Sequence, residues 1–82
     1  MHVRAEFTTE PFHGEGEPPP HALAALEIVR AAGLSPDFGP LGTGVAGEAE
    51  AVIAALGEVL RAALSQGATR VTVQVETDPA DV

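Results

Sequence analysis

Two segments of strict two-residue alternation bracket this chain, and they limit its fold more than anything between them. Near the start, Val3, Ala5 and Phe7 fall on one side and His2, Arg4, Glu6 and Thr8 on the other. Near the end, Val71, Val73 and Val75 alternate with Thr72, Gln74 and Glu76. Successive side chains of a strand point to opposite faces, so residues 1–9 and 70–77 each read as a strand with one apolar and one polar face. A sheet built on them has one side to cover and one side to leave open.

Two stretches of helical period can supply the cover. Glu10 to Pro20 is a loop, because its glycines and Pro18-Pro19-Pro20 exclude regular structure, and the prolines set up a helix start. His21 to Ala32 then places Ala22, Leu26, Val29 and Gly33 on one stripe, widened by Ala25 and Ile28. Glu27 and Arg30 can pair on the exposed side, and Gly33-Leu34 is a helix stop. The longer pattern runs from Glu48 to Gln66. It puts Ala49, Val52, Ile53, Leu56, Val59, Leu60 and Ala63 on a wide apolar face, with Gly67 as the cap. Between the helices, Asp37 to Leu41 reads as a short extended segment anchored by Phe38. Gly42 makes the turn, and Thr43 to Ala46 returns as a second short strand. Asp78 to Val82 is an acidic tail.

The order is βαββαβ in one domain, 1–82. The expectation is an α+β, ferredoxin-like fold: a four-stranded antiparallel sheet with both helices on one face and the first and last strands side by side. Arg4, Glu6, Thr8, Thr72, Gln74 and Glu76 then line the uncovered face, which meets water, a second subunit or a ligand.

Charge narrows the partners. Twelve acidic residues face 4 arginines and no lysine, a net charge of −8. Such a surface repels phosphate backbones and anionic membranes; it either favours a cationic ligand or, as is commoner, serves solubility alone. With no cysteine, thiol catalysis, disulfides and thiolate zinc sites are excluded. The opening MHVRAEF lacks the apolar core of a signal peptide, and no apolar run approaches the roughly 18 residues of a membrane span. A cytoplasmic location is expected.

Four of the nine glycines fall between Gly39 and Glu50, in GPLGTGVAGEAE. Gly42 to Gly47 fits G-x-G-x-x-G, but this is a poor dinucleotide site. The acidic residue expected roughly 20 positions on is replaced by Gln66 and Gly67, and 82 residues are too few for such a fold. Glu48 and Glu50 at the helix start would also repel a pyrophosphate.

The same stretch carries a different likeness. Gly33-Leu34, Gly39-Pro40-Leu41-Gly42-Thr43, Gly47-Glu48 and Gly67-Ala68-x-Arg70-Val71, with Val3-x-Ala-Glu6-Phe7 and Pro11 at the start, resemble the YkoF-like thiamine-binding family over nearly the whole chain. Its most specific block is Pro40 to Glu48. The resemblance implies a ferredoxin-like fold, a homodimer or homotetramer made of dimers that pair again, binding of thiamine or its hydroxymethylpyrimidine moiety, and no catalysis or cofactor. Carried over, Thr43 and Glu48 fall on the block and Glu6 on the first strand. The chain departs from the family in lacking an arginine in Asp78-Pro79-Ala80-Asp81, and in having Gly44 and Ala46 where bulkier residues are usual.

Thiamine is cationic and carries a planar aminopyrimidine, so a site needs a carboxylate or acceptor and a flat surface. Glu6, Thr43 and Glu48 can supply polar groups and Gly44 close approach. Stacking must come from Phe7, Phe12 or Phe38, the only aromatics, with Phe38 the candidate. Each has a plainer reading: Phe7 as core, Phe38 as strand anchor, Glu48 as a favourable charge at a helix start, Thr43 as hairpin closure. A metal reading of His2, His13 and His21 with Glu10, Glu15 and Glu17 lacks helical ligand spacing. Ser35 and Ser65 have no nearby histidine, and nothing positions an acid–base pair. Two readings stay open. One is a non-enzymatic binder of a small cationic or pyrimidine ligand; the other is a protein–protein interaction module with no metabolite.

Overall fold

A computed structural model of the chain describes residues 1–11, 16–38 and 42–79. The elements are β1 (His2–Glu10), α1 (Pro20–Ala31), β2 (Asp37–Phe38), β3 (Thr43–Glu48), α2 (Ala49–Ser65) and β4 (Arg70–Thr77). The strands form one antiparallel sheet in the order β2-β3-β1-β4. The strands are unequal, as the short segments between the helices imply. β1, β4 and β3 have 9, 8 and 6 residues and make the body of the sheet, whereas β2 is a 2-residue edge. The segment expected to extend to Leu41 is described only through Phe38; Gly39, Pro40 and Leu41 lie outside the described residues, as do Phe12, His13, Glu15 and the last three positions. β3 runs two residues further than Ala46, because β1 is long enough to pair with it as far as His2↔Glu48.

Alternation decides which side is buried. Val3, Ala5, Phe7 and Thr9 of β1 are buried, as are Thr43 and Val45 of β3. Val3, Ala5, Phe7 and Val45 pack with Ala25 and Val29 of α1 and Ala49, Val52, Leu56 and Val59 of α2, so both helices lie on this one face. Arg4, Glu6, Ala46, Gln74 and Glu76 are exposed on the other. A chain this short buries little, and its largest fully buried side chains are Val29, Val52 and Val59.

The helix ends follow their local chemistry. Pro20 opens α1, where its missing N–H costs nothing, and the Pro19 carbonyl accepts from the N–H groups of Ala22 and Leu23. Gly33 at φ +81° closes α1, with Leu34 N–H donating to the Val29 carbonyl. Gly67 at φ +105° closes α2, with Ala68 N–H reaching the Ala63 carbonyl. Both positive φ values favour glycine.

The wide apolar face expected of α2 is only partly buried. Ile53 is 58% and Leu60 38% exposed. They sit about 100° around the helix from the buried line of Val52 and Val59. The opposite flank, at Ala55, is buried, and α1 packs alongside α2. The flank carrying Ile53 and Leu60 therefore faces away from α1.

Candidate functional site

The uncovered face of the sheet is built from rows of cross-strand partners. One row crosses all four strands: Asp37 pairs with Gly44, Gly44 with Glu6, and Glu6 with Gln74. Directly paired residues share a face, so these side chains rise from the same surface. Gly44 contributes none. A Cβ here would stand 3.8 Å from Asp37 Cβ and 3.9 and 4.0 Å from the Asp37 and Ala5 carbonyl oxygens, all ordinary contact distances. Strands lie about 4.8 Å apart, so Asp37 and Glu6 flank a glycine-floored gap roughly 10 Å across between their backbones. The neighbouring row is Ala46, Arg4 and Glu76. There the Arg4 guanidinium donates to Glu76 at 3.0 Å.

Together these rows form an open depression of about 430 Å³, lined by Arg4, Ala5, Glu6, Gly44, Gln74, Val75 and Glu76. Its polar groups are two carboxylates, one amide and one guanidinium already matched to Glu76. With Asp37 beside Gly44, and a net charge of −8 on the chain, the surface suits a cation or a donor-rich ring.

The five residues singled out in the sequence do not all gather here. Glu6 and Gly44 are cross-strand partners on the open face. Thr43 is buried on the helix side, opposite Phe7, because adjacent strand residues point to opposite faces. Phe38 stands in β2 opposite Thr43. Glu48 ends β3, exposed, with its carboxylate 3.4 Å from the Met1 amino group and 3.6 Å from His2 Nδ1. It lies four strand positions from Gly44, roughly 13 Å along the chain. No aromatic residue lines the depression among the described residues.

Asp37, Arg4, Gln74 and Glu76 were not singled out as site residues. Arg4, Gln74 and Glu76 were legible as an open-face set, but grouping them with Glu6 required the β1–β4 register. Asp37 required the β2–β3 register, which depends on the loop between them.

The histidines are placed separately. His21 is buried between Thr9 and Pro11, and His2 lies at the β1 end near Glu48. His13 falls outside the described residues. Among the described residues, no cluster of three or more His, Asp or Glu side chains is placed to hold a metal ion. Among the same residues, no helix is long and apolar enough to cross a membrane. Within the G-x-G-x-x-G stretch, Thr43 to Gly47 is strand paired with β1, and with β2 at Thr43 and Gly44, instead of a loop opening onto a helix.

Comparison with known proteins bears on this geometry. A family model described as "Thiamine-binding protein" matches residues 5–80. A domain of unknown function, DUF77, from Bacillus cereus superposes with a TM-score of 0.72 at 20% identity, covering 96% of this chain and 78% of its own. A hypothetical protein from Methanocaldococcus jannascii gives 0.70 at 21% identity, covering 94% and 78%. A Thermotoga maritima protein with a proposed place in thiamine biosynthesis or salvage gives 0.70 at 24% identity, covering 99% and 87%. At these identities the three structures share the fold with this chain. No curated protein matches it.

Proposed function

Because this chain belongs to the thiamine-binding protein family, we propose that it is a non-enzymatic small-molecule-binding protein whose ligand is thiamine or its hydroxymethylpyrimidine moiety. The ligand lies on the open sheet face, and the chain works as a homo-oligomer of the split βαββαβ, ferredoxin-like type. The observation that carries this reading is the row Asp37–Gly44–Glu6–Gln74. A planar aminopyrimidine resting over Gly44 meets peptide backbone where any other residue would raise a side chain. Its exocyclic amine donates to Glu6 or Asp37, and the Gln74 amide can donate to a ring nitrogen. The carboxylates also attract the thiazolium charge of intact thiamine.

Isothermal titration of the full chain with thiamine, and separately with hydroxymethylpyrimidine, tests this. Binding that weakens tenfold or more in Glu6→Gln and Asp37→Asn is expected, as is a thermal midpoint that rises with ligand concentration. An absence of heat at millimolar ligand, with the protein folded by circular dichroism, would overturn it.

A further inference from the structure

We infer that Ala46 sets the size of ligand this face accepts: the second ring of a two-ring ligand lies over the row Ala46–Arg4–Glu76, so the site selects such a ligand over a lone pyrimidine. This deepens the proposed function and rests on its placing of the pyrimidine over Gly44.

A ring seated over Gly44 can be extended along β3 in two directions. One leads back toward Gly42, just before β3, and is closed. A Cβ at Gly42 would stand 3.0 Å from Thr8 Cγ2 and 3.3 Å from Glu6 Cγ, so side chains of β1 already lean over this end. Thr8 is accordingly half-buried, although it belongs to the open face. Neither Thr8 nor its cross-strand partner Thr72 lines the depression.

The other direction leads to Ala46 and is open. Ala46 pairs with Arg4, and Arg4 with Glu76. Arg4 and Glu76 both line the depression. Arg4 is long enough to fold back over Ala46, but its guanidinium reaches the other way, to β4, where it donates to Glu76 at 3.0 Å. On the outer side, β2 pairs with β3 only at Asp37↔Gly44 and Phe38↔Thr43, so no strand stands beside Ala46. Ala46 is exposed and raises only a methyl group from the floor.

The dimensions and charge of this track define its occupant. Same-face positions of a strand lie about 6.7 Å apart, close to the spacing of two small rings joined through a single carbon. Gly44 and Ala46 therefore offer two adjoining seats, floored by backbone and one methyl. Glu6 stands one row to one side of Ala46. Glu48, which also meets the Met1 amino group at 3.4 Å, stands one row to the other. Arg4, the nearest cation, is already matched by Glu76. A positive charge on the second ring is thus favoured. An aminopyrimidine linked to a cationic five-membered ring has this shape and charge, whereas a lone pyrimidine leaves the Ala46 seat to water. A longer side chain at position 46 would occupy the second seat and leave the first free.

Isothermal titration of the full chain with thiamine and, separately, with hydroxymethylpyrimidine tests this in the wild type and in Ala46→Leu. The wild type is expected to bind thiamine tenfold or more tighter than hydroxymethylpyrimidine. Ala46→Leu is expected to remove most of that difference, weakening thiamine tenfold or more and hydroxymethylpyrimidine by less than about twofold. Ala46→Val, a residue that strands favour, is expected to give a smaller loss of the same kind, and it carries the test if circular dichroism shows the leucine variant unfolded. Thr72→Leu, on the closed side, is expected to change neither ligand. Equal affinities of the wild type for the two ligands would overturn the inference, as would equal losses for both in the position 46 variants or a loss of thiamine binding in Thr72→Leu. Each of those results leaves a pyrimidine site at Gly44 standing. A wild type that binds neither ligand would overturn the proposed function itself, so the two failures are told apart.

Discussion

His21 Nδ1 lies 2.7 Å from Thr9 Oγ1, and both residues are buried. The other ring nitrogen, Nε2, is 2.9 Å from the Pro11 carbonyl. A carbonyl can only accept, so Nε2 carries the hydrogen and donates. The Thr9 hydroxyl can meet Nδ1 either way, donating to a bare nitrogen or accepting from an N–H. This contact ties the first turn of α1 to the end of β1 across the intervening loop, and it gives His21 a structural role.

Breaking that contact from either side should therefore cost stability in a coupled way. Thr9→Val is expected to lose about 1–2 kcal/mol and His21→Ala about 2–4 kcal/mol, since each strands a buried polar partner and the second also opens a cavity. The double variant should fall short of the sum by about 1 kcal/mol in urea unfolding. Strict additivity would mean that the two side chains do not interact.

Two glycines of the β3 region should respond unequally to alanine. A Cβ at Gly42 would meet the Phe7 carbonyl oxygen at 3.1 Å and Thr8 Cγ2 at 3.0 Å, and the carbonyl belongs to a paired strand that cannot yield. At Gly47 the tight neighbour is Leu34 Cδ2 at 3.0 Å, the end of a flexible side chain. Gly42→Ala is expected to destabilise by about 1–3 kcal/mol and Gly47→Ala by less than about 1 kcal/mol. Equal losses in chemical denaturation would contradict the close approach of Gly42 to β1.

Arg4 gives a test of ligand charge. Among the described residues it is the one cationic side chain that lines the depression, and Glu76 holds it at 3.0 Å. Arg4→Gln frees the Glu76 carboxylate, so a cationic ligand should bind several-fold tighter and an anionic one weaker. The enhancement should shrink as salt is raised from about 0.01 to 0.15 M. Titration calorimetry at two ionic strengths reads both effects, and weaker thiamine binding in the variant would exclude a site governed by these carboxylates.

Packing along α2 should follow its buried line. Val59 is fully buried, and Val59→Ala is expected to cost about 1–3 kcal/mol at any protein concentration. A loss below about 0.5 kcal/mol in thermal or urea unfolding would mean that this position is not core.

Much of the fold can be read from the chain. Arg70–Thr77 forms as a strand over the bounds its valines mark, and the helices begin and end within a residue of the positions set by Pro20, Gly33 and Gly67. The site is less legible. Thr43 and Gly44 are sequence neighbours, yet one is buried beside Phe7 and the other floors the open face. Strand parity alone separates them, and a likeness to a family block does not carry parity. Asp37 joins Glu6 only through two registers, neither of which is written in any single segment.

The alternation of β1 and β4, the helix stops and the acidic balance belong to the sequence itself, because each arises from the covalent order of a few neighbouring residues. The order of strands across the sheet, the exposure of Ile53 and Leu60 and the row from Asp37 to Gln74 belong to the tertiary structure. Periodicity says which side of a segment is apolar. Whether that side finds cover depends on which element lies next to it: Val73 of β4 packs against the core, whereas Val75 and the outer flank of α2 stay exposed among the described residues.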